Sequence, residues 1–383
     1  MSSDPVLIPF NRPSFAGPEL TYVAQAVQRG HISGNGTFTR EVEALLAQIS
    51  GSPTALLTTS CTHALEMSAR VLRLGPGDEV IVPAYTFVST ASAFALTGAR
   101  PVFVDVSPLT LNLDVAAVEA AITPRTRAVC TVHYAGIAQD IDLLAELCSA
   151  RGLVLVEDNA HGFGARFDGR LLGTFGQMAT MSFHETKNVT CGEGGALAIN
   201  DESLVALAEI LREKGTDRAR FLRGQVDKYT WVEVGSSWVA SDMLAAFLLA
   251  QLESFEVIQG RRLAVWHAYD EQLRDWAARQ GVRTPVVPLG AEHPAHMYYL
   301  RFDSLAQRSA FIAHLRQRQV MAVFHYQALN CSTVGMRLGG RPGDCPVSEE
   351  AADCLVRLPL FADMTPDELA RVIEAVQEFR VPR

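Results

Sequence analysis

Between residues 54 and 215 short apolar runs alternate with stretches of helical spacing, and this alternation constrains the fold more than any other feature of the chain. Strands are expected at Thr54–Thr59, Glu79–Pro83, Arg100–Val106, Ala128–Val132, Leu153–Glu157, Met178–Phe183 and Gly195–Asn200. Between and after them, helices are expected at Thr62–Leu74, Thr86–Thr97, Asp114–Ile122 (with Asp114 as N-cap), Asp140–Ala150 and Glu202–Lys214. Val80-Ile81-Val82 and Leu153–Val156 are apolar at every position, so both faces of their sheet need cover. Parallel β-α units supply that cover. The expected class is therefore α/β, a mostly parallel sheet with helices on both sides.

Near residue 215 the pattern changes. Gly215–Trp238 is polar, aromatic and irregular, and one long helix from Ser241 to about Leu273 then restores order. Beyond it, short strands (Met297–Phe302, Val320–Phe324) and helices (Ser309–Arg318, Pro366–Phe379) predict a smaller C-terminal α/β domain. The 383 residues are ample for two domains, drawn here as a large one over 1–260, with an N-terminal arm at 1–16, and a small one over 261–383.

Several classes are disfavoured. A net charge of −9 argues against a nucleic-acid partner, because phosphate contacts need surplus positive charge. Seven cysteines, an odd number with no CxxC, suggest neither a disulfide framework nor a zinc site, and no metal is expected. No basic-then-apolar leader is seen and no apolar run approaches the ~20 residues of a membrane helix, so no membrane partner is expected and the location expected is the cytoplasm.

Chemistry enters with the basic residues. Of 33 lysines and arginines only Lys187, Lys214 and Lys228 are lysine. Surface charge can be arginine, but a nucleophilic amine cannot, because guanidinium stays protonated. Lys187 sits in Ser182-Phe183-His184-Glu185-Thr186-Lys187-Asn188, just before Gly192-Glu193-Gly194-Gly195. Upstream, Glu157-Asp158-Asn159-Ala160-His161 closes an apolar run. A lysine for a Schiff base and a carboxylate for a pyridinium nitrogen are the minimum equipment for pyridoxal phosphate chemistry. Asp158 ends a buried strand, where open α/β sheets put ligand groups; the plainer alternative is a cap on the following turn. His161 has two readings, a structural histidine or a contact to the cofactor ring. Ser60-Cys61-Thr62 lies between a strand and a helix, so it is either an ordinary N-cap or a phosphate cup, with Ser182 as a second contact. Phe87, after a strand end, reads equally as a core residue or as a ring that stacks on the pyridine. Between Arg212 and Lys228 six cations, Arg218, Arg220 and Arg223 among them, face three acids: a solvated loop or a diphosphate site.

These motifs resemble the DegT/StrS family of sugar-nucleotide aminotransferases, which have the aspartate-aminotransferase type I fold. The resemblance runs almost end to end, through Ile8-Pro9-Phe10-Asn11, Gly34-Asn35-Gly36-Thr37-Phe38-Thr39, Pro83-Ala84-Tyr85-Thr86-Phe87-Val88-Ser89-Thr90, Glu157-Asp158 and the Lys187 segment. Two longer strings, Arg223 to Trp231 and Met321 to Tyr326, resemble the branch that makes dTDP-4-amino-4,6-dideoxygalactose. The resemblance implies pyridoxal 5'-phosphate as cofactor, Lys187 as the Schiff-base residue and Asp158 as the pyridinium partner. Ser60, Cys61, Thr62 and Ser182 would hold the phosphate, Phe87 would stack, and His161 stands where many members have glutamine. Asn11, Asn35, Arg218, Arg220, Arg223, Lys228, His325 and Tyr326 would contact substrate. A homodimer with shared active sites is implied, with Ser237 where the family has an asparagine reaching the partner's phosphate. The segment His325-Tyr326-Gln327-Ala328-Leu329-Asn330 also departs from the family's His-Tyr-x-Pro-Leu-His. The implied reaction moves the amino group of glutamate to the 4-keto group of a dTDP-linked 6-deoxyhexose.

Rivals are a 3-aminotransferase or a PLP-dependent dehydratase of the same fold, the latter disfavoured because Lys187 is not histidine. A non-catalytic sugar-nucleotide or PLP sensor would be favoured by a DNA-binding segment, which is not seen. A nicotinamide oxidoreductase is disfavoured because no GxGxxG follows a strand.

Overall fold

The computed structural model describes residues 6–15 and 17–382; of the expected N-terminal arm, residues 1–5 and 16 lie outside the described residues. Nine strands are set out in the first 200 residues: β1 (Thr54–Thr58), β2 (Glu79–Pro83), β3 (Arg100–Val104), β4 (Thr126–Val132), β5 (Val154–Asp158), β6 (Arg166–Phe167), β7 (Arg170–Leu171), β8 (Met178–Ser182) and β9 (Gly195–Ile199). Seven of them form one sheet in the order β1-β9-β8-β5-β4-β2-β3. Only β9 is reversed: it pairs antiparallel with β1 and β8, and every other neighbouring pair is parallel. β6 and β7 pair with each other, and β10 (Ala291–Glu292) adds to β6.

The uniformly apolar runs divide between two cores because side chains alternate across a strand. On one face Leu56, Val80, Val82, Ala128, Cys130, Val156, Leu197 and Ile199 pack against Ala64, Leu65, Ala208 and Leu211 of helices Cys61–Val71 and Val205–Arg212. The intervening residues face the other way. Leu57, Ala179, Met181 and Ala196 meet helices Thr37–Ser50 and Asp242–Glu253, while Ile81, Val129 and Leu155 meet Val118 and Leu144 of helices Val115–Ala121 and Ile141–Arg151.

A second sheet, β11 (Tyr299–Arg301), β13 (Leu355–Arg357) and β12 (Val323–Phe324) in that order, is antiparallel throughout. Around it Trp266, Tyr269, Leu273, Trp276, Phe302, Phe311 and Val372 form a separate core. Ile8 joins that core from the N-terminus and bridges to Val320.

Several boundaries differ from expectation. The long helix is two, Asp242–Glu253 and Phe255–Gln280, bent by 63° at Ser254. The first is buried along most of its length against the large sheet, and the second leaves it after Ile258 to enter the other core at Val265. The bend serves both burials, and the 260/261 division falls inside the second helix. Helix Cys61–Val71 begins at the first residue after its cap, and Thr86–Thr97 shortens to Val88–Ala95. Glu202–Leu204 is a 3-10 turn leading into Val205–Arg212. Of Val320–Phe324 only the last two residues pair with β13, because Val320 is taken by Ile8. The irregular stretch contains the short helix Arg218–Leu222. Among the described residues no single helix is long and apolar enough to cross a membrane, and no group of three or more His, Cys, Asp and Glu is arranged to hold a metal ion.

Glu79, buried at the start of β2, accepts hydrogen bonds from Arg100 (2.6 Å), Thr123 (2.6 Å) and Arg125 (2.7 Å). Burial alone would push its carboxyl up; the bonds from Thr123, Arg100 and Arg125 outweigh it and hold the carboxyl at about 2. A carboxyl depressed on folding adds stability above the ordinary carboxylate range, which is lost as pH falls through that range towards 2. Glu79→Gln should therefore cost about 2 kcal/mol at pH 7. In thermal melts over a pH series, its gap to wild type should narrow on acidification from pH 5; a constant gap would contradict the assignment.

Candidate active site

Polar side chains collect where the parallel strands end. Glu157 and Asp158 are consecutive on β5 and so face opposite sides. Glu157 accepts from the amides of Gly173 and Gly176 (both 2.7 Å) and pairs with His133 (2.8 Å) beneath the sheet edge. Asp158 accepts from Thr90 Oγ1 at 2.8 Å and from the Ala160 amide at 3.2 Å. It has no ion-pair partner within 4.0 Å among the described residues. Burial pushes its carboxyl up, opposed by Thr90, the Ala160 amide and the positive charge of Lys187.

Lys187 lies in the loop between β8 and the reversed β9, which returns this loop to the edge where β5 ends. Its pKa falls from 10.5 to about 8: burial lowers it most, Cys61 and Asp158 pull it back up, and the Arg357 charge pushes it down. At about 8, roughly one molecule in ten carries a neutral amine at pH 7.

Ser60 caps helix Cys61–Val71 by accepting from the His63 amide at 3.1 Å. The N-cap reading is therefore correct, and it leaves the amides of Cys61 and Thr62 as the unpaired donors of a helix start. Thr62 Oγ1 bonds Ser89 Oγ at 2.7 Å. Ser182 is the last residue of β8, opposite Gly195 on β9. A Cβ on Gly195 would sit 2.3 Å from both Ser60 C and Cys61 N, so only glycine lets β9 lie this close to the cap. Phe87 is 54% exposed, which removes the core reading. Its ring is 6.1 Å from that of Tyr326.

His161 is buried, stacked on His296 at 4.3 Å and bonded through Nε2 to Tyr326 Oη at 3.2 Å. Its Nδ1 is buried without a partner. Burial, with the charges of Lys187 and Arg357, holds the imidazole well below its usual pKa. Tyr326 takes φ 42°, costly for a residue with a Cβ. Its neighbour His325 is fixed on both sides: Tyr134 Oη bonds its Nδ1 at 2.7 Å and Tyr85 Oη donates to its carbonyl at 2.8 Å. Asn11 donates to the Glu185 carbonyl at 2.9 Å, two residues before Lys187.

The remaining substrate residues gather elsewhere. Asn35 bonds Glu213 and Arg212, and Arg212 pairs with Glu43. Arg218 reaches Glu213 at 3.4 Å, Arg223 grips Glu209 with two bonds of 2.7 Å, and Ser237 bridges to Glu213. Arg220 and Lys228 have no ion partner among the described residues. The positive island is thus largely neutralised within the chain. Among the described residues no hydrogen bond, ion pair or ring contact joins it to Lys187, Asp158 or His161; it touches the strand before the cup through Arg212, which donates to the Leu57 carbonyl at 3.0 Å, and the Trp238 carbonyl accepts from Thr59 at 3.1 Å.

Four residues at the site were not singled out from the sequence: Thr90, Tyr134, His296 and Arg357. For Arg357 a signal exists, a charge inside the apolar run Leu355-Val356-Arg357-Leu358. The others carry none.

The donor set suits a phosphorylated pyridine. A buried carboxylate without an ion partner, an orphaned imidazole nitrogen and a capped helix start with free amides are each completed by a protonated ring nitrogen, a ring oxygen and a phosphate.

Comparison with known proteins agrees. The DegT/DnrJ/EryC1/StrS aminotransferase family matches residues 14–377. The aminotransferase TlmJ from Streptoalloteichus hindustanus is 32% identical with TM-score 0.89, covering 97% of this chain and 98% of its own. Spr1654 from Streptococcus pneumoniae in its PMP form is 28% identical with TM-score 0.90, over the same shares. A 3-amino-5-hydroxybenzoic acid synthase is 29% identical with TM-score 0.87, covering 98% and 99%. One of these names a product that is not a sugar, so likeness at this level gives the reaction class and not the acceptor.

The three lysines offer a direct check on the local electrostatics. Amine acylation of the cofactor-free protein, followed peptide by peptide in the mass spectrometer, should show Lys187 labelling with a midpoint near pH 8; a midpoint near 10.5 would mean that burial in this loop does not act on the amine. With its type I fold and its family match over nearly the whole length, the chain belongs to the DegT/DnrJ/EryC1/StrS aminotransferases.

Proposed function

We propose that the protein transfers the amino group of glutamate to the 4-keto group of a dTDP-4-keto-6-deoxyhexose, giving the galacto 4-amino sugar for a bacterial surface polysaccharide. The observation that carries the reading is a half-buried lysine held near pKa 8 beside the buried, unpaired carboxylate of Asp158.

Pyridoxal phosphate is the cofactor; when bound, it supplies an electron sink for the carbon that loses or gains a proton. Asp158 would hold the ring nitrogen protonated, and His161 Nδ1 would face the ring oxygen. The amides of Cys61 and Thr62, with the hydroxyls of Ser60, Thr62 and Ser182, would receive the phosphate, and Phe87 would cover the ring. Lys187 takes the proton from the α-carbon of the donor and later delivers one to C4 of the sugar. A pKa near 8 suits both tasks, since a base of ordinary lysine strength would be almost wholly protonated. The face from which Lys187 delivers sets galacto against gluco.

Asn35, Arg218, Arg220, Arg223, Lys228 and Ser237 belong to a site shared across a homodimer, where Arg220 and Lys228 would meet the diphosphate. Exposed Leu222, Trp231, Val232 and Val234 on the same stretch support its burial by a second subunit. The large domain, 1–260, holds the cofactor, and the small domain, 261–383, closes the substrate side. The protein acts in the cytoplasm, where nucleotide sugars are made.

Borohydride reduction of the PLP-loaded protein should attach one cofactor, at Lys187; attachment at Lys214 or Lys228 would contradict the assignment. Asp158→Asn should keep the fold and slow both half-reactions by roughly 100-fold, about 3 kcal/mol; wild-type rates would remove its role. A panel of nucleotide keto sugars incubated with glutamate should yield a 4-amino product of galacto configuration by NMR. Amination at C3, or loss of water from the sugar, would overturn the acceptor assignment.

A further inference from the structure

We infer that Tyr326 is a positioning residue: its hydroxyl donates to Nε2 of His161 and so places that ring's one proton on Nδ1, the nitrogen that turns to the cofactor's ring oxygen. The inference rests on the cofactor reading above and assigns the hydrogen-bond polarity of that contact.

A neutral imidazole has one N–H and one bare nitrogen, and its neighbours decide which is which. At His161, Nε2 lies 3.2 Å from Tyr326 Oη, and Nδ1 is buried with no partner among the described residues. Two polarities are open. If Nε2 carried the proton and donated it, the Tyr326 O–H would find no other acceptor among the described residues. The bare Nδ1 would then set its lone pair against those of a ring oxygen. If Tyr326 donates, its hydroxyl is satisfied and the N–H at Nδ1 is left for an acceptor. The second polarity strands fewer buried polar groups, and each stranded group costs free energy. Burial, with the charges of Lys187 and Arg357, keeps His161 neutral, and burial pushes the Tyr326 phenol up so that it stays a donor.

The surroundings hold both rings. Tyr326 takes φ 42°, and the chain on either side is tied down. Tyr85 and Tyr134 fix His325, and the Leu329 amide donates to the Ala84 carbonyl at 2.8 Å. A backbone in this region persists only where its surroundings enforce it. Here it lays the Tyr326 ring 8° from parallel to His161. His296 stacks on His161 at 4.3 Å and is itself oriented. Asn188 spends its amide protons on Gln259 Oε1 (2.8 Å) and the Pro294 carbonyl (2.6 Å), so its Oδ1 accepts from His296 Nδ1 at 3.0 Å. Asn188 follows Lys187, which ties the stack to the loop of the reacting amine. Stacked on one face and bonded at Nε2, His161 is kept from turning its ring over.

The test reads the proton directly. In nitrogen NMR of protein carrying isotopically labelled histidine, with PLP bound and without it, His161 should show a protonated Nδ1 and a bare Nε2. Its signals are identified by their loss in His161→Gln. Tyr326→Phe, which keeps the ring and removes the donor, should mix the two tautomers. PLP affinity, followed by absorbance, is the second readout. Tyr326→Phe should weaken it about fivefold, the worth of one neutral hydrogen bond. In the His161→Gln background an amide offers N–H whatever its neighbour does, so the same change should cost less than about twofold. A proton on Nε2 in wild type, or equal losses in the two backgrounds, would overturn the inference; the wild-type spectrum decides even where a variant fails to fold. A protonated Nδ1 in a wild type that binds no PLP would support the polarity and sink the cofactor reading instead.

Discussion

A sheet covered by helices on both faces has no room for charge along its strands, and that constraint shapes everything else in this protein. Most interior residues of β2, β4, β5 and β8 lie in the apolar cores on its two faces, where an unpartnered carboxylate or amine would be desolvated without compensation. Polar groups can leave the sheet only where strands end. Because β1, β2, β4, β5 and β8 run the same way, their ends lie at one edge. Asp158, Ser60, Ser182, Tyr85 and His133 all sit at that edge or one to two residues beyond it. The reversed strand β9 completes the arrangement. Had it run parallel, the chain after Ser182 would have crossed back over the sheet, and Lys187 would have left the edge.

Much of this was legible in the sequence because it depends on local order. Strand ends, helix starts and a lysine among arginines are features of neighbouring residues, and Lys187, Asp158 and Ser60 to Thr62 could be read from them. The sheet was legible for the same reason: Val80-Ile81-Val82 and Leu153–Val156 are apolar at every position. What escaped depends on residues distant in the chain. Thr90 matters because it donates to Asp158, 68 residues away, and Tyr134 because it meets His325, 191 residues away. Neither contact has a periodicity. The bend at Ser254 escaped for a related reason. The pattern either side of it is helical, and only the separation of two cores requires the change of direction.

The second group of expected contacts illustrates a different limit. Six cations between Arg212 and Lys228 read as a positive island, but charge counts ignore pairing. In the fold Arg212, Arg218 and Arg223 are taken by Glu43, Glu213 and Glu209. Conversely Arg357, a lone charge in an apolar run, has no carboxylate within 4.0 Å among the described residues. Free charge is a property of the packed state, which a linear count does not see.

This difference bears on how the site handles two substrates in one place. The donor is a small anion and the acceptor a bulky one with two or more charges. Arg357 is a guanidinium without an ion partner among the described residues, beside Phe10 and close to Tyr85, Tyr134 and Tyr326, where low dielectric leaves its charge little screened. The cations between Arg212 and Lys228 differ: solvent screens the exposed ones, and Arg212, Arg218 and Arg223 already meet carboxylates. At Lys187 the Arg357 charge lowers the pKa, while Cys61 and Asp158 raise it. Burial and these charges together hold the amine near pKa 8. An amine with a pKa near neutrality is able both to take up and to give back a proton, which an amino-group exchange asks of a single residue.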